Sequence, residues 1–329
     1  MTAAGRSIRL LVSAGASEGR GHLARAISLA GALRELDDGV PIRLDLLRGA
    51  PTDQQRTRLA KLRVATGGGG GEAETPAKAT VVDLPNPNDA PGDEPESLVV
   101  FDDGDRFEGR AAIVIQPSLP AWRGLGNAAT VLAGYAYAPI DQAYLDAARA
   151  AQLPSGDGDA IALLVCFGGS DPDDVTGRLG AALASDPRWR TTVVVGAGYR
   201  GALVEGDVGD RSQVVRDPLD LPARMAAADL VVLGAGTMKF EAAFLGRPAV
   251  LLAAADDQLA VGPAFAASEA AAYLGDGRTI APADVAASIA ALIGDPAKRR
   301  AMGRRAREVV DGGGGARLAS AILSLVSGA

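Results

Sequence analysis

The chain carries one cysteine and one histidine in 329 residues. A single thiol, Cys166, excludes an internal disulfide and fits a reducing cytoplasm, and its place in an apolar run reads as packing. With so few soft ligands no Cys/His metal cluster can be assembled, and neither a metal nor a cofactor is expected. No apolar run approaches the length needed to cross a bilayer, and residues 1–11 lack the apolar centre of a signal peptide. Basic residues do not cluster with aromatics and the net charge is −7, so the electrostatic footprint for nucleic acid or an anionic membrane is missing. These absences leave a cytoplasmic protein whose partner is a small molecule.

What the chain has is apolar residues, 48% of the total, and a repeated order of strand then helix. Its length exceeds that at which one core keeps growing, so two domains are expected, 1–153 and 159–329, parted by Leu153-Pro-Ser-Gly-Asp-Gly158. In the first, strands are expected at 8–12, 41–47, 79–83, 98–101, 113–115 and 130–132, with helices after His22 and at 53–62 and 141–151. The glycine run 67–71 reads as a surface loop without regular structure. In the second, strands at 160–167, 191–195, 213–215, 230–233 and 249–252 alternate with helices reaching about 184 and at 221–227, 239–245 and 259–271. Helices from Pro282, Pro296 and Gly315 end the chain, the last folding back on the first domain. Alternation of this kind predicts an α/β protein of two doubly wound, Rossmann-like domains facing a cleft.

The histidine sits in Leu10-Leu-Val-Ser-Ala-Gly-Ala-Ser-Glu-Gly19-Arg-Gly21-His22-Leu-Ala-Arg25, which reads as strand, small-residue loop and helix. At a helix start the positive end of the dipole disfavours a charged imidazolium, leaving the neutral ring that a general base needs. A lone histidine in such a loop can equally be a surface or capping residue. Gly19-Arg-Gly21-His-Leu-Ala24 formally fits a dinucleotide fingerprint, but Ser13 to Glu18 intervene between strand and glycines, and no P-loop lysine is present.

Two glycine-rich turns of the second domain offer backbone N–H groups beside a hydroxyl. Gly168-Gly169-Ser170 and Gly234-Ala-Gly236-Thr237 could each cradle a diphosphate, or could simply allow tight packing. Thr237 and Glu241 lie one helical turn apart, which suits Glu241 to the two hydroxyls of a ribose; the alternative is that it complements the helix dipole. Asp256, Asp257 and Gln258 follow the next strand and are read as hydrogen-bonding to sugar hydroxyls, since adjacent aspartates on a turn seldom converge on one metal ion.

Taken together, Gly19-x-Gly21-His22-x-x-Arg25, Phe167-Gly-Gly-Ser-Asp-Pro172, and Gly234-x-Gly236-Thr237-x-x-x-Glu241-x-x-x-Leu245-Gly246-x-Pro248 followed by Asp257-Gln258 resemble the PseG/SpsG group of nucleotide-sugar proteins. That group is related to the MurG glycosyltransferases of GT-B fold, and the likeness extends through Phe101-Asp102-Asp103 and Leu132-Ala-Gly-Tyr-Ala-Tyr137. The resemblance implies a UDP-sugar ligand, with Glu241 on the ribose, both glycine turns near the diphosphate and 214–219 beside the base. Gly21 and Arg25 would then lie at the sugar, His22 would deprotonate a water attacking the anomeric carbon without a metal, and the nucleoside diphosphate would leave. This chain has Asp257 where the hydrolases have asparagine; it is expected to be desolvated and catalytic, either meeting a cation such as Lys239 or an amino group of the substrate, which is the preferred reading, or staying protonated and donating a hydrogen bond. The expected activity is hydrolysis of a UDP-sugar. Alternatives are transfer of the sugar to an acceptor, which the sequence does not name, and a catalytically silent nucleotide-sugar binding protein.

Overall fold

The computed structural model describes residues 6–15, 21–68, 77–90, 97–150, 161–208 and 211–327. The interdomain stretch expected at 153–158 lies outside these residues, as do 16–20 of the histidine loop and 69–71 of the glycine run. The chain divides into two units, 1–142 with 312–329, and 143–311.

In unit 1 seven strands form one parallel sheet: β1 (Ile8–Ala14), β2 (Ile42–Gly49), β3 (Ala65–Gly68), β4 (Ala79–Asp83), β5 (Ser97–Phe101), β6 (Arg110–Gln116) and β7 (Asn127–Ala133). Their order is β3-β2-β1-β4-β5-β6-β7, which reverses direction between β1 and β4. Every residue of β4 is buried, as a parallel strand covered on both faces requires. The first two glycines of the run contradict its expectation as a loop. Gly67 and Gly68 pair with Asp45 and Leu46 in edge strand β3, because a Cβ on Gly67 would lie 2.5 Å from the Asp45 carboxylate, which bonds to Arg9 and Arg43 there. Glycine is thus the residue that lets this strand pair.

Helix α1 (Gly21–Leu36) buries Leu23, Ile27, Ala30 and Leu33, and α2 (Asp53–Lys61) starts on a capping box between Thr52 and Gln55. The core of unit 1 is completed from the far end of the chain. Leu318, Ala319, Ile322 and Val326 form the buried stripe of α10 (Gly314–Ser327) and join α1 in one apolar cluster. Each such Leu or Ile contributes about 1.5–3 kcal/mol on burial. Close approach needs Gly314, where a Cβ would lie 2.2 Å from the Ala138 carbonyl oxygen.

Unit 2 begins with α3 (Gln142–Ala150), whose first residue belongs to unit 1. Its strands are β8 (Ile161–Cys166), β9 (Trp189–Val195), β10 (Gly206–Val208), β11 (Ser212–Arg216), β12 (Leu230–Gly234), β13 (Ala249–Ala253) and β14 (Ala272–Asp276). The order β10-β11-β9-β8-β12-β13-β14 again reverses direction at the first strand of the unit, here between β8 and β12. Only the pairing of β10 with β11 is antiparallel. The helices are α4 (Ala181–Ala184), preceded by a π-helical turn at Thr176–Gly180, then α5 (Leu221–Ala227), α6 (Met238–Phe244), α7 (Gln258–Ala266), α8 (Pro282–Ile293) and α9 (Pro296–Val309). Helix α7 stops short of the expected 271: Glu269 takes a left-handed conformation with φ of 62°, and the chain turns directly into β14. The stretch Pro296–Ser327 is long and apolar enough to cross a membrane by length and composition alone. It is two helices, parted between Val309 and Gly314, and the apolar stripe of the second is buried in unit 1.

Candidate functional site

In open α/β sheets ligands bind beyond the carboxyl ends of the strands where strand order reverses. In unit 1 that point lies between β1, which leads to His22, and β4, which ends at Asp83. The two side chains meet there: His22 Nδ1 lies 2.7 Å from Asp83 Oδ1. Arg25, one helical turn after His22 and on the same face of α1, donates from Nε and Nη2 to the two oxygens of Asp83 at 2.7 and 2.5 Å. Its Nη1 lies 2.6 Å from Asp103, which also accepts from Ser118 Oγ at 2.6 Å, and its guanidinium stacks 4.4 Å from the Phe101 ring centroid. Arg25 was expected at the sugar. It is instead 5% exposed and held by two carboxylates, so it positions Asp83.

Neighbouring Asp102 has another task. Its carboxylate accepts from the backbone of Arg106 and Phe107 and from Trp122 Nε1 at 2.7 Å, fixing the turn after β5. Buried Gln116 closes the same corner, donating to the Asp102 carbonyl and accepting from Ser118 N.

These contacts set the protonation states. Burial favours the neutral acid at Asp83, but Arg25 and then His22 hold its pKa far below the ordinary carboxylate value. An ionised carboxylate only accepts hydrogen bonds, so His22 Nδ1 carries the proton and the neutral ring presents the lone pair on Nε2. Burial also opposes charging His22, yet Asp83 outweighs it, and the imidazole pKa is raised above 6.5. This corrects the lowering expected from the helix start: a carboxylate at 2.7 Å acts more strongly than a partial dipole charge. The imidazole retains 19% of its side-chain exposure while Asp83 has 2%, so a ligand can reach the ring and not its partner.

In unit 2 the reversal between β8 and β12 brings the two glycine turns to one crevice of the sheet. Gly168 has a φ of 110° and an open Cβ position. Gly169 is clamped from behind, its carbonyl accepting from Gly198 N at 2.8 Å. The following helix starts beyond this turn, and its first N–H groups, of Val175 and Thr176, are taken by the Asp171 carboxylate. Beyond β12, Lys239 is 1% exposed, and its Nζ donates to the Ala235 and Gly236 carbonyls at 3.0 and 3.1 Å. Because C=O and N–H of a trans peptide point in opposite directions, these bonds turn the N–H groups of Gly236 and Thr237 away from the lysine. Thr237 makes no side-chain capping bond. Glu241 is half-buried, and its charge, with that of Asp171, adds to burial in pushing the Cys166 thiol up to about 11, which places the carboxylate beside the end of β8.

The loop after β13 departs from its expectation. Asp257 is exposed at the start of α7, not desolvated, while the Lys239 amino group donates to the loop carbonyls. Asp256 pairs with Arg278 at 2.7 Å. Gln258 accepts from Ala254 N at 3.0 Å and lies across the glycine turn: a Cβ on Gly234 or Gly236 would come within 3.3 Å of its amide. Both glycines therefore admit the Gln258 side chain.

The chain matches no protein-family model and no curated protein sequence. Its fold is shared with solved structures over almost the whole chain. MurG from Acinetobacter baumannii is 14% identical with a TM-score of 0.58, covering 96% of this chain and 99% of its own. The spinosyn rhamnosyltransferase SpnG complexed with thymidine diphosphate is 16% identical, TM-score 0.55, covering 92% and 95%. A putative UDP-N-acetylglucosamine 2-epimerase from Listeria monocytogenes is 13% identical, TM-score 0.58, covering 98% of each chain. The fold is that of the GT-B glycosyltransferases, with two doubly wound α/β units.

Proposed function

We propose that this protein is a glycosyltransferase that uses a nucleoside diphosphate sugar, with His22 as the general base. The observation that carries the reading is the His22–Asp83 pair at the reversal point of the first sheet, oriented so that the neutral ring offers Nε2. In this reading Nε2 takes the proton of an acceptor hydroxyl as its oxygen attacks the anomeric carbon. The bond to the diphosphate breaks, the nucleoside diphosphate leaves, and the proton stays on His22. Gly168, Gly169, Ser170, Gly236 and Thr237 of unit 2 hold the diphosphate, Glu241 the ribose, and donors fixed in place stabilise the departing charge. Names among the structural neighbours support transfer over hydrolysis: one is a rhamnosyltransferase with thymidine diphosphate bound.

Hydrolysis is the second reading, favoured by Gly236-Thr237-x-x-x-Glu241 with Asp257-Gln258, which resembles the PseG/SpsG group. Calorimetry with UDP and dTDP comes first, followed by product analysis of UDP- and dTDP-sugars in ¹⁸O-water with and without a panel of acceptor alcohols. Acceptor-dependent release of the diphosphate supports transfer. Label in the free sugar without acceptor supports hydrolysis, and failure of every nucleoside diphosphate to bind removes both readings.

A further inference from the structure

Three carboxylates stand at the carboxyl ends of neighbouring strands β4 and β5, and hydrogen bonding gives each a different duty. Asp83 is buried, and its two oxygens are taken by Arg25, one of them by His22 as well. Asp102 is buried and bonded to the turn after β5 and to Trp122. Asp103 differs. One of its oxygens accepts from Ser118 Oγ at 2.6 Å and the other meets Arg25 Nη1 at 2.6 Å, but 31% of its side chain stays exposed. A carboxylate offers about four lone-pair sites, so two printed donors leave Asp103 able to accept from a ligand, and its orientation is already fixed from behind.

Asp103 also lies beside the base. One guanidinium, that of Arg25, joins it to Asp83, which holds His22, and the strands that carry the two acids run about 4.8 Å apart. Two substituents of one sugar ring can span that separation.

The charge here is negative among the described residues. Arg25 is a single cation between Asp83 and Asp103, and His22 is neutral when it acts as a base. Asp102 and Asp105 add two carboxylates on the turn after β5, against one further cation, Arg106, whose Nη1 is bonded to the Pro85 carbonyl. Burial opposes the charge on Asp103, but Arg25 outweighs it and lowers the pKa, so the exposed group is ionised. An anionic substituent is repelled at such a point and a hydroxyl is accepted. An ammonium is accepted and also offsets the excess charge, in a hydrogen bond roughly twice as strong as a neutral one.

We propose that Asp103 determines specificity by receiving an amino group on the molecule whose hydroxyl His22 deprotonates. The inference rests on the reading of His22 given above and extends it to substrate class: that molecule is an amine-bearing alcohol such as an amino sugar. Arg25 and Ser118 aim the carboxylate, and Asp103 makes the contact.

The chain has one histidine, so the His22 imidazole gives a single set of NMR signals that reports a ligand beside the base. The full chain is titrated at pH 8 with 6-amino-6-deoxyglucose, glucose and glucuronate, which share one ring and carry an ammonium, a hydroxyl and a carboxylate at C6. The amino sugar is expected to shift the His22 signals and to bind tenfold or more tightly than glucuronate, with glucose between them, and the preference should shrink as sodium chloride is raised. Asp103→Asn keeps the shape and should bring the three affinities within threefold. Asp105→Asn removes the neighbouring charge at a left-handed position that asparagine tolerates and should keep the order. Glucuronate bound as tightly as the amino sugar, His22 signals unmoved by all three sugars, the order surviving in Asp103→Asn, or its loss in Asp105→Asn overturns the proposal. UDP and dTDP titrations of the same preparations separate the two readings. Nucleotide binding without amine preference removes only this inference, whereas amine preference without nucleotide binding removes the proposed transferase and leaves the role of Asp103 standing.

Discussion

Replacing Asp83 by asparagine keeps the shape of the site and removes its charge. In the wild type one carboxylate meets His22 at 2.7 Å and Arg25 twice, at 2.7 and 2.5 Å. An asparagine can turn only its oxygen or its amide toward His22 Nδ1. With the amide donating, the ring proton moves to Nε2 and the base is lost; with the oxygen accepting, the tautomer survives but the developing imidazolium has no counter-charge. Both cases weaken proton transfer, and Asp83→Asn should lower kcat by about 10²–10⁴, the range between losing a positioned base and losing a triad carboxylate. Arg25 keeps Asp103, so the stability loss should fall near the lower end of the range for breaking a buried ion pair, about 3 kcal/mol.

The pH profile separates this account from simple destabilisation. His22 works as a base only when neutral, so wild-type activity should rise with pH along a limb placed above 6.5 by the raised pKa. Without Asp83 the strongest remaining influences, burial and the Arg25 charge, both lower that pKa, and the limb should move to the acid side. Stability should respond in the opposite region. The depressed Asp83 pKa contributes stability that is complete above its ordinary value of 3.8 and is lost as pH falls through the folded-state value; the variant should lack this acid-side loss. The assays are steady-state kinetics from pH 5 to 9 and thermal unfolding over pH 2 to 7. An acid limb that stays in place in Asp83→Asn would refute the assignment of His22 as a base tuned by Asp83.

Two further substitutions test the separate duties of the units. His22→Gln should lower turnover about a hundredfold or more while calorimetry finds UDP and dTDP affinity within twofold of wild type; unchanged turnover removes the base. Glu241→Ala should weaken UDP by about 1.5–3 kcal/mol, the scale of hydrogen bonds to a charged group, and should narrow the difference between ribo- and deoxyribonucleoside diphosphates. Equal UDP affinity in the two proteins would leave Glu241 as a partner of the helix dipole alone.

Local pattern announced the strand-helix alternation, because burial on both faces makes parallel strands read as apolar runs, as in Ala79–Asp83. It failed where packing overrode composition. Edge strand β3 takes in Gly67, where a Cβ would crowd the Asp45 carboxylate, and β14 follows a helix whose alanine-rich end gives no stop signal. His22 drew attention as the sole imidazole, but its partner lies 61 residues away and is joined only by the adjacency of β1 and β4. Strand order is not written in any local stretch. Two signals were present: Arg25 follows His22 by one helical turn, and an aspartate closes the apolar pair Val81-Val82 at the end of a strand. The Asp257 expectation failed for a related reason, since side-chain exposure at a helix start depends on where α7 points.

Lys239 shows how a residue outside the expected motif can shape it. Its amino group is buried, bonded to two consecutive loop carbonyls and 4.1 Å from the Phe240 ring centroid. Methionine has a similar length and no donor. Exchanging a buried cation for an apolar group of like volume is often neutral or stabilising, but here two carbonyls lose a donor, at about 1–3 kcal/mol each if they stay unsatisfied. The opposing contributions leave the net stability change of Lys239→Met small, within about 2 kcal/mol. Binding has no such compensation. Once the carbonyls are free to turn, the N–H groups of Gly236 and Thr237 lose their fixed direction, and the site must order them when the diphosphate arrives. Lys239→Met should therefore weaken UDP and dTDP about tenfold, or about 1.4 kcal/mol, with little change in Tm. It should leave the affinity for the nucleosides uridine and thymidine as it was, because only the diphosphate uses those N–H groups. An equal loss for nucleosides and diphosphates would mean that the lysine props up the unit as a whole, and an unchanged diphosphate affinity would mean that the loop holds its direction without it.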